Sequence, residues 1–238
     1  HMSLVSRVPP LDLLYCREMV GKGHILDANN LRLSAEEHAR AINEFQPTVV
    51  FFSLDVCSLR QARLVVPLLD RTSIVVVMLG MLPTTEPQML FDEGLADVVI
   101  RGEPEGVITD LTALVESSKD ATLARIKRSS LQGVGLPGRI GKEAPLIQDL
   151  DTLPIPDRRQ DHVFGTYCYE NPFARRITVM RAHRGCPYQC VYCDARNLYG
   201  TSLRMRSVSH VIEEVHYCVE TGIRFISFLD HTFTLDRD

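Results

Sequence analysis

The sequence predicts an α/β protein: a doubly wound, parallel, five-stranded Rossmann-like domain, followed by the beginning of an incomplete (β/α) barrel. Three observations carry this expectation. Short apolar runs alternate with amphipathic stretches through residues 1–118. A segment punctuated by glycine and proline occupies 119–175. The strand-then-helix rhythm resumes over 176–238 and stops before a barrel's worth of units has accumulated.

Within the first segment, strands are expected over 4–8, 24–27, 48–53, 74–79 and 97–100, with helices over 11–20, 34–45, 58–70, 86–93 and 105–116. Ser34-Ala35-Glu36-Glu37 has the form of a capping box, with Ser34 as N-cap and Glu37 three positions on. Pro47 closes that helix, and the β-branched and aromatic run Val49-Val50-Phe51-Phe52 follows it. Ile74-Val75-Val76-Val77-Met78-Leu79 has the length of a buried strand. In the connector, Gly133, Gly135, Gly138 and Gly141 leave room for one small hairpin, while Leu153-Pro154-Ile155-Pro156 cannot continue a helix. Beyond it, 177–182 and 223–229 read as strands flanking a helix over 207–220.

With 238 residues, 45% of them hydrophobic, the chain can bury a substantial core and form more than one domain. A net charge of -4 lacks the basic surface that nucleic-acid binders carry. No apolar run approaches the roughly 20 residues that span a bilayer, and His1-Met2 reads as a cloning scar rather than a leader. Seven cysteines without a secretory signal suit a reducing, cytoplasmic compartment, where clustered thiols bind metal rather than pair. Cys16, Cys57, Cys168 and Cys218 are scattered and read as small buried hydrophobes.

Cys186, Cys190 and Cys193 are different. They lie in Arg184-Gly185-Cys186-Pro187-Tyr188-Gln189-Cys190-Val191-Tyr192-Cys193, a CxxxCxxC loop expected to leave the C-terminal end of a strand. Parallel α/β folds place ligands at that end. A structural zinc takes four protein ligands. Three thiolates instead suit a four-iron cluster with one iron left open. The spacing also permits a zinc site completed from elsewhere, with His183 or Cys168 the nearest candidates. Arg175, Arg176, Arg181 and Arg184 flank the loop, either as salt-bridged strand ends or as a patch for an anionic partner.

The stretch 184–193 resembles the CxxxCxΦC signature of the radical S-adenosylmethionine (SAM) superfamily, with Tyr192 at the aromatic Φ position. The resemblance implies a [4Fe–4S] cluster on Cys186, Cys190 and Cys193, SAM chelated to the open iron, and Tyr192 packed near the adenine. Arg204-Met205-Arg206-Ser207 and Phe228-Leu229-Asp230-His231-Thr232-Phe233-Thr234 are similar to segments of radical SAM enzymes that carry a cobalamin-binding domain. Those enzymes usually show two acidic residues where this chain has Asp230-His231; Asp230 is then a partner for the SAM ammonium or ribose, or else a helix-capping aspartate.

The first segment resembles the cobalamin-binding domain of the same enzymes, as in Asp97-Val98-Val99-Ile100-Arg101-Gly102-Glu103-Pro104-Glu105 and Leu150-Asp151-Thr152-Leu153-Pro154-Ile155-Pro156. Ser53, Gly80, Thr84, Gly102 and Glu103 fall at strand ends, where small or hydroxyl side chains let a corrinoid approach the backbone. They are equally ordinary turn residues. No DxHxxG loop is present to supply a histidine to cobalt, and the companion elements are degenerate, as Ser53-Leu54-Asp55 and Leu79-Gly80-Met81.

The expected domains are therefore a cobalamin-binding-type Rossmann-like domain over 1–118, a connector over 119–175 and the N-terminal part of a radical SAM barrel over 176–238. By resemblance the parent enzyme binds a [4Fe–4S] cluster, SAM and cobalamin, acts on a small-molecule substrate by methyl transfer or oxidative cyclisation, and takes electrons from a flavodoxin- or ferredoxin-like donor. The family includes methyltransferases and the anaerobic cyclase of chlorophyll synthesis. The chain reads as a fragment of such an enzyme, inactive by itself. A non-catalytic corrinoid- or metal-binding module, with zinc or iron–sulfur, is the alternative.

Overall fold

The apolar runs at 48–53, 74–79 and 97–100 form one sheet. In the computed structural model, which describes residues 8–159, 167 and 176–235, β1 (Val49–Ser53), β2 (Val75–Leu79) and β3 (Val98–Ile100) pair in parallel in that order. All five residues of β2 are buried, which explains its unbroken apolar sequence: as a central strand it is covered on both faces. A short fourth strand, β4 (Val134–Gly135), joins β3 antiparallel, so the sheet is mixed.

Helices flank this sheet. α1 (Leu11–Val20) belongs to the other unit of the fold and is capped by Gly21 in the left-handed region. α2 (Ala35–Phe45) begins with the expected capping box: Glu37 N–H donates to Ser34 Oγ at 3.2 Å, and Ser34 N–H donates to Glu37 Oε2 at 2.7 Å. α3 (Leu59–Val65) stops short of residue 70 because Pro67 has no N–H to continue it, and the chain tightens into a 3₁₀ turn over Val66–Leu68. α4 (Met81–Thr85), α5 (Pro87–Asp92) and α6 (Glu105–Thr112) follow.

Two expectations about individual elements need correction. Residues 24–27 form no strand: Ile25 packs with Leu14, Tyr167 and Ile177, and Asp27 accepts from Tyr167 Oη at 2.6 Å and from Asn30 N–H at 2.9 Å. The segment is held by side chains rather than by a ladder. The strand expected at 4–8 lies outside the described residues except for Val8, which is irregular. The stretch after 118 opens with a helix, α7 (Lys119–Arg128), whose N-cap Ser118 accepts from Ala121 N–H. The chain then returns over the sheet. Leu136 and Arg139 exchange hydrogen bonds of 2.9 and 2.8 Å around a tight turn, and Arg101 bonds to Gly133 and Ala144 on either side.

The chain also divides into two compact units. One compact unit comprises Leu33–Ile147 and Gln189–Gly200; the other comprises His1–Arg32, Gln148–Tyr188 and Thr201–Asp238. This division differs from the expected 1–118, 119–175 and 176–238. The reason is physical: the N-terminal helix buries Leu14 against Ile177 and Tyr167, and Asp12 accepts from Arg181 Nη1 at 2.8 Å. In that second unit β5 (Ile177–Met180) pairs in parallel with β8 (Phe225–Phe228), and β6 (His183–Arg184) pairs antiparallel with β7 (Arg204–Met205). α8 (Ala195–Tyr199) belongs to the first unit, where it packs on α4; α9 (Val208–Glu220) connects β7 to β8.

Gly102 shows how tightly the returning chain sits. It adopts φ +85°, and a Cβ built there would lie 3.1 Å from both the N and O of Ala144. Gly102→Ala is therefore expected to destabilise the protein by about 1–3 kcal/mol, from left-handed strain plus a backbone contact that cannot yield. Urea denaturation of the wild type and the variant measures this directly.

Candidate cofactor-binding site

The cysteine loop leaves the C-terminal end of β6, which follows β5 after two residues. Gly185 takes φ +86°, a conformation that costs glycine little, and so turns the chain immediately before Cys186. Cys190 is exposed, Cys186 and Cys193 are partly exposed, and all three are free thiols. Cys193 N–H donates to Cys190 O at 3.1 Å, which closes a turn between the second and third cysteines. The neighbouring Cys190 side chain and, to a lesser extent, Cys193 hold the Tyr192 phenol pKa above its ordinary value. Its ring is 88% exposed, and Val191 beside it is fully exposed.

Among the described residues, no group of three or more His, Cys, Asp or Glu side chains is gathered closely enough to hold a metal ion. The fit is therefore one of donor chemistry. Three accessible, unpaired thiols at a strand's C-terminal end suit an iron–sulfur cluster, and the Gly185 turn lets the loop fold around one. Cys16 and Cys218 are buried as expected, whereas Cys57 is exposed on the loop after β1. Cys168 lies outside the described residues.

Asp230, expected near SAM, has a fully buried carboxylate engaged with backbone. Its Oδ1 accepts from Ala182 N–H at 3.0 Å and from His183 N–H at 2.6 Å, and its Oδ2 lies 3.2 Å from Ala182 N. It therefore ties the end of β8 to the residues that enter the cysteine loop. His183 Nε2 donates to Thr232 O at 3.1 Å; a carbonyl only accepts, so Nε2 carries the proton. His183 Nδ1 is buried with no hydrogen-bond partner among the described residues. Burial holds the His231 pKa below its usual value, and the charges of Arg181 and His183 add to that effect.

The flanking arginines are spent internally. Arg181 pairs with Asp12, Arg176 Nη1 donates to Thr221 O at 2.8 Å, and the Arg184 guanidinium lies 5.6 Å from the centre of the Tyr15 ring. These are salt-bridged and stacked strand ends, the plainer of the two expectations. Arg175 lies outside the described residues.

Residues expected to cradle a corrinoid divide sharply. Ser53 ends β1 exposed, beside the exposed Asp55, Val56 and Cys57, and leaves that strand end open. Gly80 is covered by its own chain, since a Cβ there would meet Leu54 O at 3.0 Å. Thr84 is buried, with Oγ1 donating to Gly80 O at 2.7 Å and accepting from Gly102 N–H at 3.0 Å. Glu103 is fully buried, and its Oε2 accepts from Ile147 N–H at 2.7 Å. Four of the five thus stabilise the strand ends from within: Leu54 covers Gly80, Thr84 bonds to Gly80 and Gly102, and the returning residues 144–147 meet Gly102 and Glu103. At Ser53 the open strand end remains compatible with a corrinoid.

Sequence reasoning missed a buried network behind the loop. Glu214 on α9 accepts from Arg158 and Arg206 through separate oxygens, all three side chains being at most 3% exposed. Nearby, Asp157 accepts from Tyr217 Oη at 2.5 Å and from Arg159 Nε at 3.0 Å. Burial pushes its carboxyl pKa up, but the Arg159 and Tyr217 hydrogen bonds and the Arg159 charge outweigh that and hold it at about 2. A depressed carboxyl contributes stability above its unfolded pKa, roughly 4, and loses it as pH falls toward the folded value. The urea midpoint of the wild type is therefore expected to fall between about pH 4 and pH 2 more steeply than that of Asp157→Asn.

No protein-family model matches the chain. It is 31% identical over 96% of its length to an uncharacterized methyltransferase of Pyrococcus horikoshii, covering 50% of that protein. It is 29% identical over 90% of its length to the anaerobic magnesium-protoporphyrin IX monomethyl ester cyclase of Cereibacter sphaeroides, covering 35% of that enzyme. The chain thus spans half or less of the length of these curated relatives. Among solved structures it matches the radical SAM methyltransferase TsrM of Kitasatospora setae, determined with cobalamin and a [4Fe–4S] cluster bound. That match has a TM-score of 0.73 at 17% identity and covers 96% of this chain and 47% of that one. Homologues of the chain thus include magnesium-protoporphyrin monomethyl ester cyclases and hopanoid methylases, and its fold is that of cobalamin-dependent radical SAM enzymes.

Proposed function

We propose that this chain is part of a radical SAM enzyme in which Cys186, Cys190 and Cys193 hold a [4Fe–4S] cluster, SAM binds the open iron, and cobalamin sits at the sheet's C-terminal edge by Ser53. The observation that carries the reading is the CxxxCxxC loop that follows β6 with three free thiols, in a chain whose relatives are methyltransferases and cyclases. When bound, the cofactors supply an electron to split SAM into methionine and a 5′-deoxyadenosyl radical, and a corrinoid methyl carrier. The chain's own residues hold and orient: Gly185 turns the loop, Asp230 fixes its entry, and α8 packs against α4 at the end of β2. Tyr192, already exposed, supplies a ring for the adenine. The reaction is methyl transfer or oxidative cyclisation of a small molecule, with electrons from a flavodoxin- or ferredoxin-like donor in the cytoplasm.

The test is anaerobic reconstitution followed by metal, sulfide and absorption analysis. Near four iron and four sulfide per chain, with corrinoid absorption after incubation with hydroxocobalamin, is the expected result. One zinc and no sulfide would favour a metal-binding module instead. The chain alone is expected to release no 5′-deoxyadenosine from SAM and dithionite, because the described residues supply two parallel strands, β5 and β8, toward a barrel that needs more. Robust release would sink that part of the reading.

A further inference from the structure

We propose that Thr232 is a positioning residue for the cluster: its hydroxyl donates a hydrogen bond to the Cys186 thiolate and raises the reduction potential of the cluster that thiolate holds. The inference rests on the cluster reading above and goes beyond it, from the ligands to a group that sets their electronics. Thr232 Oγ1 lies 3.6 Å from Cys186 Sγ, within hydrogen-bonding reach of the larger sulfur atom. A thiolate bound to iron has no proton to give, so the hydroxyl is the donor.

Thr232 is not simply a loop residue that happens to pass nearby. Its carbonyl accepts from the Nε2–H of buried His183 at 3.1 Å. His183 is in turn fixed through its backbone N–H, which donates to Asp230 at 2.6 Å, and its Nε2 lies 3.4 Å from the same carboxylate. The Asp230 carboxylate carries no exposed surface. The two segments, 182–186 before the first ligand and 230–232 after β8, are therefore laced together by one buried carboxylate and one buried imidazole. That lacing orders Thr232 opposite Cys186 before any cluster is present, so the hydrogen bond costs little additional ordering when the cluster forms. Hydrogen bonds to the sulfurs of an iron–sulfur centre stabilise the more negative, reduced state.

The experiment compares wild type, Thr232→Val and Thr232→Ser after anaerobic reconstitution. Iron and sulfide are counted, and the midpoint potential is followed by electron paramagnetic resonance during redox titration. Valine keeps the shape and removes the donor; serine keeps the donor. Thr232→Val is expected to retain its iron while its reduction equilibrium weakens about tenfold, a shift of about 59 mV to more negative potential for one electron. Thr232→Ser is expected to return toward the wild-type value. Loss of the cluster in Thr232→Val alone, restored by serine, also supports the hydroxyl's role. Equal potentials in all three proteins, or loss of the cluster in both variants, overturns it. A wild type that assembles no cluster overturns the cluster reading and this inference together, so the two failures are distinguishable.

Discussion

Cys186→Ala, Cys190→Ala and Cys193→Ala are each expected to reduce reconstituted iron by at least about tenfold, with sulfide falling in parallel. Removing even an outer-sphere partner of a metal ligand commonly costs ten- to a hundred-fold in affinity, and a direct thiolate contributes more. The three thiols are free and at least partly exposed, and among the described residues none of them is in a disulfide. The other described cysteines provide the contrast. Cys218 is buried, and that burial raises its thiol pKa; a thiol that resists ionisation is a poor ligand. Cys57 is exposed but stands on the loop after β1, apart in sequence from the motif. Cys57→Ala and Cys218→Ala are expected to keep wild-type iron. If Cys57→Ala lost iron as fully as Cys190→Ala, the assignment of the triad as the ligand set would be wrong.

The parallel strands of the sheet were legible because burial on both faces leaves a direct mark in the sequence. Val75-Val76-Val77-Met78-Leu79 has no polar position to confuse with a surface strand or a loop. The α2 start was legible for a similar reason: a capping box is a local arrangement of two side chains and two amides. What the local pattern misjudged depended on distant partners. Residues 24–27 look like a strand in isolation, yet their order comes from Leu14, Tyr167 and Ile177. α7 was hidden in a stretch judged by its later glycines, although Ser118 and the basic last turn of that helix were readable cap signals.

The candidate site divides along the same line. The cysteine spacing is a local motif and was readable at once. The internal tasks of Gly80, Thr84, Gly102 and Glu103 were not, because they arise only when other segments close over the strand ends, Leu54 on Gly80 and residues 144–147 on Gly102 and Glu103. A strand-end glycine that admits a ligand and one that admits its own chain have the same sequence. Thr232 is 46 positions from Cys186, and no periodicity links them. Asp230 carried a true signal, its place at a strand's end, but its carboxylate faces the amides of 182–183.

Glu214→Gln is expected to destabilise the unit that contains it by about 3–5 kcal/mol, because it leaves two guanidinium charges buried without their anion. Arg158 and Arg206 cannot give up their protons, and neither can reach solvent from 3% exposure. Most of their remaining donors are already committed. Arg158 bonds to Thr178 Oγ1 at 2.8 Å, Pro156 O at 3.1 Å and Val179 O at 3.0 Å, and Arg206 bonds to Arg181 O at 2.9 Å and His210 O at 3.2 Å. The triad thus joins the proline-rich connector, β5, the segment leading into α9 and α9 itself. Arg181 immediately precedes the residues that Asp230 holds at the loop's entry, so loosening Arg206 also loosens the root of the cysteine loop. Whether the charges stabilise or specify is decided by a second variant. Desolvating three charged groups offsets much of their mutual attraction, so replacing all of them with apolar residues of similar volume commonly costs little. Arg158→Met/Arg206→Met/Glu214→Leu is therefore expected to unfold in urea within about 1–2 kcal/mol of wild type, far above Glu214→Gln. It is nevertheless expected to assemble less cluster, since the Arg206 bond to the Arg181 carbonyl is gone. If the triple variant were as unstable as Glu214→Gln, the network would be a net source of stability rather than a device that fixes where the loop begins.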